Sequence, residues 1–398
     1  MDVWVGQAAL MLLLAVAVSM TARKLRMPYT VGLVLAGIVF AFAPLTVEVP
    51  LTKAFVFGVL LPPLIFEASY QLSWTDLRRQ LGVILVLATV GVGLSTIVVA
   101  AGMHLALGWN WGIAALVAAL LSATDPVSVI AIFKHTGLKG KLRVLIESES
   151  LFNDGTAAAL FATAVAAASG RGMSLPHAAW QLIVVVVGGI GIGAAVGGLV
   201  LLLSGHTDDH LEEITFTTIA AYVPFLIAEH FHVSGVLGTL SAGLLVGTFG
   251  PRGLFSSKGR DALESFWEYV CFVSNSLIFL LIGMHLAHQK LAAAWAPCIL
   301  AIGLALLGRS LAVYGCSFCF QRSRQRVEMR HQHILVWGGL RGALSLGLVV
   351  GLPMALPGRD LAITVVFAVV AFSVLVQGIS IDPLMRRLGL LGAHGKLP

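Results

Sequence analysis

Charged side chains are scarce in this sequence. Asp, Glu, Lys and Arg make up 11% of the 398 residues, whereas 58% are hydrophobic. Soluble globular domains carry about 25% charged residues. Here apolar runs long enough to cross a bilayer follow one another, and the mean hydropathy is +0.94. The composition therefore excludes a soluble protein and predicts an all-α polytopic membrane protein.

Cysteine is also rare, and the signatures of enzymes are missing. The four cysteines all lie inside apolar segments without histidines at metal-ligand spacing, which argues against a disulfide scaffold or a zinc site. No nucleophile–base set or phosphate-binding loop stands out. We therefore expect neither an enzyme nor a bound cofactor. The apolar stretch 3–21 is long enough to span a bilayer, so we expect a first membrane span rather than a cleaved signal peptide.

The apolar runs predict about thirteen membrane-spanning segments in a single membrane domain, residues 1–398, with residues 383–398 as a short cytoplasmic tail. The predicted spans are residues 3–21, 28–43, 51–68, 81–106, 109–132, 144–168, 178–204, 212–230, 234–250, 265–287, 291–320, 330–352 and 360–382.

Basic residues are distributed unevenly between the two sets of loops. With the N-terminus outside, the loops that would be cytoplasmic hold 19 of the 25 Lys and Arg residues and the outer loops hold 4. The 19 are Arg23, Lys24, Arg26, Arg78, Arg79, Lys134, Lys139, Lys141, Arg143, Arg252, Lys258, Arg260, Arg322, Arg324, Arg326, Arg330, Arg386, Arg387 and Lys396. Because cytoplasmic loops of membrane proteins are enriched in Lys and Arg, we expect an outer N-terminus, a cytoplasmic C-terminus and a location in the plasma (inner) membrane. The net charge of +6 has this explanation and does not indicate a nucleic-acid partner.

The sixth span begins with an unusually polar stretch, Glu147–Gly155. At about 100° per residue, Glu147, Ser150 and Asp154 share one face of a helix, and Glu149 shares the neighbouring face with Asn153 four residues on. Ionisable groups at bilayer depth are costly and are usually placed for function. We therefore predict the functional site on this helix.

Two other spans carry sequences that interrupt a helix. The fifth contains Ser122–Pro126, in which the proline removes a helix hydrogen bond and Asp125 is suited to cap the restarting helix. The twelfth contains Gly338–Gly342, with three glycines and Arg341 in mid-membrane. The interruptions are seven spans apart, so the two helices cross in opposite directions. This predicts inverted repeats, spans 1–6 against 8–13, whose broken helices meet near an ion site.

Four motifs together resemble the sodium/proton antiporters of the NhaP and NHE type. They are Leu61–Glu67 (LPPLIFE), Thr124–Pro126 (TDP), Glu149–Gly155 (ESLFNDG) and Gly338–Ala343 (GGLRGA). The likeness covers nearly the whole chain. It implies exchange of a monovalent cation for a proton by alternating access in a homodimer. It also implies a mobile core bundle that includes spans 4–6 and 11–13, and a dimerisation domain formed by the remaining spans.

The resemblance also implies which residues form the ion site. Asp154 matches the aspartate that binds the cation and the proton, and Ser150, Thr124 and Glu67 match groups that help to coordinate the ion. Na⁺ is the expected cation, with Li⁺ and K⁺ as alternatives, because carboxylate and hydroxyl oxygens suit all three. Two alternatives remain open. Glu67 would be a solvated residue at the mouth of the site, or the hydroxyls of Thr124 and Ser150 would bond back to carbonyls of their own helices.

A second group of matched residues is expected to hold the core together. Glu149, Asn153 and Arg309 resemble a buried ion-pair cluster, and Arg341 resembles the arginine of the second broken helix. In this family an asparagine before the key aspartate accompanies electroneutral exchange, and this chain has Asn153 there. Glu149 as the proton carrier is the alternative assignment. For Arg341 the sequence does not choose between a partner for helix carbonyls and a residue of the cytoplasmic funnel.

The sequence thus predicts a secondary antiporter with Na⁺, Li⁺ or K⁺ and H⁺ as its substrates, in contact with lipid. Two other classes stay open at this point. The same scaffold suits a cation channel or a non-transporting ion sensor, and the buried Arg309 and Arg341 would suit an organic-anion/proton transporter. Coupled movement of cations and protons separates the first class from the others.

Overall fold

The computed structural model describes residues 2–25, 27–42, 52–125, 127–136, 140–168, 175–206, 209–252, 255–352, 354, 356 and 358–391. Several residues named above therefore lie outside the described part, namely Arg26, Pro126, Lys139 and Lys396, together with the end of the predicted tail.

The described residues are mostly helical and contain no β-strand apart from one isolated bridge. The first nine helices are α1 (Asp2–Leu25), α2 (Tyr29–Ala41), α3 (Lys53–Phe55), α4 (Leu61–Tyr70), α5 (Trp74–Val86), α6 (Val92–Leu107), α7 (Trp111–Ser122), α8 (Val127–Thr136) and α9 (Lys141–Ala168). The other nine are α10 (Leu175–Ser204), α11 (His210–His230), α12 (Gly235–Phe249), α13 (Ser257–Ala287), α14 (Trp295–Cys319), α15 (Met329–Trp337), α16 (Ala343–Val350), α17 (Arg359–Phe372) and α18 (Gly378–Arg387).

Three π-helical turns and one short 3-10 turn join some of these helices. The π turns, Val56–Leu60, Leu87–Gly91 and Ser373–Gln377, make α3 to α4, α5 to α6 and α17 to α18 continuous rods, and the 3-10 turn Gly250–Arg252 follows α12. A π turn inserts an extra residue into a helix and often occurs at functional sites.

Each of the thirteen predicted spans corresponds to helical structure in the described residues, and the polytopic all-α prediction is confirmed. The number that cross the membrane stays a prediction; seven helical rods of the described part have the length and apolarity to do so. Two helices begin well before the predicted apolar spans, because helical structure extends beyond the apolar run. The fourth rod begins at Trp74 instead of residue 81, and α13 begins at Ser257 instead of residue 265, after the capping hydroxyl of Ser256.

The helical halves on either side of each interruption pack into different apolar clusters. The first cluster contains residues of α7 and α16, such as Leu120 and Leu346. The second contains residues of α8 and α15, such as Phe133 and Leu335. The non-helical segments 123–125 and 338–342 therefore lie between the two clusters, where α9, α14 and the α17–α18 rod surround them.

Candidate ion-binding site

The two interrupted helices meet at their non-helical segments. The backbone N–H of Asp125 donates to the carbonyl of Leu340 at 2.8 Å, in a single antiparallel bridge. The Asp125 carboxylate accepts from the N–H of Val127 at 2.9 Å and faces the N–H of Ala343 at 3.5 Å. One carboxylate thus lies at the N-termini of both α8 and α16, where a negative charge stabilises the unpaired N–H groups.

The glycine at the end of the second interruption makes this arrangement possible. A Cβ on Gly342 would overlap the carboxylate of Asp125. Any larger residue at this position would therefore separate Asp125 from the N-terminus of α16. The sequence suggested that Asp125 caps the helix restarting after it, but not that it also reaches a second helix 218 residues further along the chain.

The polar face of α9 converges on Thr124 of the first interruption. The Ser150 hydroxyl donates to the Thr124 carbonyl, and the Asn153 amide donates to the Thr124 hydroxyl at 3.1 Å. The backbone N–H of Thr124 lies close to the Asp154 carboxylate. Thr124 and Ser150 are therefore brought together across two helices, and the Ser150 hydroxyl does not bond back to its own helix.

Asp154 keeps one carboxylate oxygen without a partner. Its Oδ1 is buried and accepts no hydrogen bond from any described residue. Asp125, Glu149 and Arg341 are the charged groups close enough to act on this carboxylate. A buried carboxylate oxygen without a donor is costly, which makes Asp154 the candidate on α9 for binding a cation or a proton.

Both carboxylate oxygens of the neighbouring acid, Glu149, take part in an ion pair. Arg309 Nη1 and Nη2 lie 2.6 and 2.8 Å from the two oxygens of Glu149, and Asn153 donates to the same carboxylate at 3.2 Å. Both members are buried, with exposed fractions of 1% for Glu149 and 6% for Arg309. The Arg309 Nε–H also donates to the Leu335 carbonyl of α15 at 3.2 Å. This pair therefore joins α9, α14 and the second interrupted helix.

Arg341 occupies the second interruption itself. Its Nη1 donates to the Gly339 carbonyl at 2.6 Å. Gly339 lies two residues after the last residue of α15. Its Nε is buried and has no hydrogen-bond partner among the described residues. Gly339 belongs to the interruption and not to α15, so both roles that the sequence left open for Arg341 stay predictions.

A small cavity adjoins these groups. It has room for about one water molecule and is lined by Thr124, Ile146, Glu149, Ser150, Arg309, Leu335, Gly338 and Gly339. It lies between the first interruption, α9 and the second interruption. A second small cavity, lined in part by Arg309, Arg341 and Gln377, lies on the other side of Gly339.

Glu67 is placed differently from the other predicted ligands. It lies on α4, after Pro62 and Pro63, and its carboxylate accepts from the side-chain amide of Gln71 at 2.6 Å. Helix α4 packs against α9. The contact to Gln71 fits the open alternative of a mouth-facing glutamate as well as a ligand, and the role of Glu67 stays a prediction.

Two polar residues near the site were not predicted from the sequence. Both lie on the π turn between α17 and α18; Ser373 hydrogen-bonds to Arg341 of the second interruption, and Gln377 to Trp337 at the end of α15. The available signal was a serine and a polar residue four positions apart in an apolar span, the same spacing as Ser150 and Asp154.

Comparisons with known proteins agree with this architecture. A family model described as the transmembrane part of sodium/hydrogen exchangers matches residues 9–387. The chain is 36% identical over 369 residues to the Na⁺/H⁺ antiporter ApNhaP of Aphanothece halophytica, covering 92% of this chain and 71% of the relative. It is 34% identical to the Na⁺/H⁺ antiporter NhaH of Halobacillus aidingensis, covering 98% of each chain.

A solved structure matches at the level of the fold. The sodium proton antiporter MjNhaP1 of Methanocaldococcus jannaschii, solved at pH 8, superposes with a TM-score of 0.78 and covers 97% of this chain and 98% of its own. The sequence identity is 18%, so the likeness concerns the fold alone.

Proposed function

Because this chain belongs to the sodium/hydrogen exchanger family, we propose that it is a secondary antiporter. It exchanges a monovalent cation, Na⁺ with Li⁺ or K⁺ as alternatives, for H⁺. The two substrates compete for one carboxylate, that of Asp154.

The observation that carries this assignment is the difference between the two buried acids of α9. Glu149 is occupied by both nitrogens of Arg309, whereas Asp154 Oδ1 has no partner among the described residues. Only the second carboxylate is available to take up a cation or a proton without breaking an ion pair. Asp154, not Glu149, is therefore the proposed carrier.

The proposed cation ligands are hard oxygens, as Na⁺ requires. Asp154 supplies the negative charge, and Thr124 and Ser150 supply neutral oxygens from the adjacent interruption and the preceding turn of α9. Glu67 completes the proposed set from α4. The burial of Thr124 and Ser150, 3% and 2% exposed, supports a site in which protein oxygens replace the hydration shell of the ion.

Coupling follows from the energetic cost of the empty site. With either substrate bound, Asp154 is neutralised; without one, a buried carboxylate is left uncompensated, at a cost on the order of several kcal/mol. The empty carrier therefore crosses the membrane rarely, and cation and proton movements are linked. Since Asn153 is uncharged and one charge replaces another, the proposed exchange is electroneutral.

The larger organisation is proposed on the same basis. The chain would form a homodimer in the inner membrane, with the core bundle moving against the dimerisation domain and the N-terminus outside. The contacts that join α7–α8, α9, α14, α15–α16 and α17–α18 support a core that moves as one body.

An exchange assay in proteoliposomes tests the proposal. In vesicles with an imposed pH gradient, Na⁺, Li⁺ or K⁺ should dissipate the gradient, and a potassium–valinomycin clamp should not change the rate. Asp154→Asn should reduce exchange to the level of protein-free vesicles because the substituted amide cannot bind a proton or neutralise a cation.

The matched control is Asp360→Asn, whose side chain is 99% exposed and which should exchange like the wild type. Full activity in Asp154→Asn would exclude the proposed carrier. Cation flux without proton movement would instead indicate a channel, and proton flux that depends on an organic anion would indicate an anion transporter.

A further inference from the structure

The second interruption is held by side chains of the α17–α18 rod in a way that resembles how the first is held by α9. In the first, the Ser150 hydroxyl donates to the carbonyl of Thr124, and the Asp154 carboxylate lies close to the N–H of the same residue. In the second, Ser373 Oγ accepts from the Arg341 N–H at 3.0 Å and lies 3.2 Å from the Arg341 carbonyl. In both cases a buried serine on the following rod binds the exposed backbone of the interruption.

The correspondence extends to the residue four positions later. Asp154 follows Ser150 by one helical turn, and Gln377 follows Ser373 by the same interval. Gln377 is 3% exposed, and its side-chain amide donates to the carbonyl of Trp337, the last residue of α15, at 3.0 Å. Under the inverted repeat proposed above, Gln377 occupies the place in the second half that Asp154 occupies in the first.

The two backbone groups that these side chains meet have opposite polarity. Asp154 faces an N–H group, which suits an acceptor, whereas Gln377 faces the carbonyl end of a half-helix, which requires a donor. A carboxylate at position 377 would donate to that carbonyl only when it is protonated, and when ionised it would face Arg309 and Arg341, which line the same small cavity.

The π turn determines where these two side chains point. The N–H of Gly378 bonds to the carbonyl of Ser373, five residues back, so Ser373–Gln377 contains the extra residue that defines such a turn. Val376, within the same turn, is 46% exposed and faces away from the site.

We propose that Gln377 is a positioning residue for cation/proton exchange and, with Ser373, the uncharged counterpart of the Asp154–Ser150 pair. Its amide fixes the carbonyl end of α15, and through the bridge from Leu340 to Asp125 it fixes the geometry of Thr124 at the ion site. The proposal rests on the proposed carrier role of Asp154.

The test compares two substitutions of Gln377 in the proteoliposome assay, with the KM for Na⁺ measured across a pH series and expressed relative to wild type at each pH. Gln377→Met keeps the length of the side chain but removes the donor. It should raise the KM by about three- to tenfold, the equivalent of one lost buried hydrogen bond, by a factor independent of pH.

Gln377→Glu is the discriminating variant. A protonated carboxyl group still donates to the Trp337 carbonyl, whereas an ionised one only accepts. The KM relative to wild type should therefore be close to one at low pH and rise as the pH rises. A role limited to folding would lower the amount of folded protein, measured by size-exclusion chromatography, without producing this pH dependence.

Val376→Ala is the control and should match the wild type at every pH. A wild-type KM in Gln377→Met, or a ratio for Gln377→Glu that does not rise with pH, would overturn the proposal. Asp154→Asn is measured in the same assay. Exchange retained by Asp154→Asn would overturn the carrier assignment, whereas wild-type KM values in the Gln377 variants would overturn only the role of Gln377.

Discussion

At the scale of single residues, the buried charged groups of the site differ in whether their polar atoms have hydrogen-bond partners. Glu149 and Arg309 satisfy each other in a two-point ion pair, and Asn153 adds a third contact. Asp154 and Arg341 each keep a buried polar atom without a partner among the described residues. Satisfied pairs hold a structure in place, whereas an unsatisfied group is available to bind a substrate.

We expect Arg309→Ala to affect stability more than ion affinity. Removing one member of a buried ion pair leaves the other uncompensated and costs about 3–5 kcal/mol. Thermal unfolding in detergent should show this loss, while the KM for Na⁺ of the folded fraction changes little. Arg386→Ala is the control, because its pair with Asp382 is about 40% exposed on both sides and such pairs contribute about 0–1 kcal/mol. A stable Arg309→Ala protein with a much higher KM would contradict the structural role.

At the scale of elements, the interrupted helices are stabilised by each other. The non-helical segments leave backbone groups without helical partners, and in lipid such groups must be satisfied within the protein. The Asp125 carboxylate lies at the N–H groups of both restarting helices, and the hydroxyls of Ser150 and Ser373 hydrogen-bond to the backbone of the two segments. The amide of Gln377 donates to the last carbonyl of α15. The crossing is therefore a shared structure in which neither broken helix is complete by itself.

Substitution of Gly342 should disturb this crossing. In Gly342→Ala the added methyl group overlaps the Asp125 carboxylate, and we expect a destabilisation of about 1–3 kcal/mol with a lower exchange rate per folded protein. Gly303→Ala on α14 is the matched control: its Cβ would meet nothing within 4 Å, and alanine favours a helix by about 1 kcal/mol over glycine. Equal stability and activity of the two variants would refute the proposed role of the Asp125–Gly342 contact. Unfolding midpoints and initial exchange rates provide the measurement.

At the scale of the whole molecule, the distribution of Lys and Arg sets the expected orientation. The 19 basic residues of one set of loops against 4 of the other place the loop between α14 and α15 inside and the loop between α13 and α14 outside. This orientation also places the N-terminus of α9, with Lys141 and Arg143, at the cytoplasmic side.

Cysteine labelling of intact cells tests the orientation. In a Cys319→Ser background, because Cys319 is exposed, a membrane-impermeant thiol reagent should label Lys290→Cys and should label Arg324→Cys only after the cells are opened. Both positions are exposed in described loops. The reverse pattern would invert the predicted topology.

The sequence determined the features of this protein that depend on local rules. Apolar runs predicted the membrane-spanning helices. The two interruptions were marked by Pro126 and by the glycines at 338, 339 and 342. The period of a helix placed Ser150 and Asp154 on one face of α9. The motif resemblance gave the family, and the family is confirmed. The loop charges gave an orientation that stays a prediction.

Only the tertiary structure decided which polar groups meet. The Arg309–Glu149 pair spans 160 residues, the Asp125–Ala343 contact 218, and the Gln377–Trp337 contact joins two rods of the second half. Such contacts depend on how whole helices pack and in what register, which is set by the shapes of both partners and not by the sequence of either. For that reason the sequence located the carboxylates on α9, while the fold alone showed that one is bound in an ion pair and the other keeps an oxygen free.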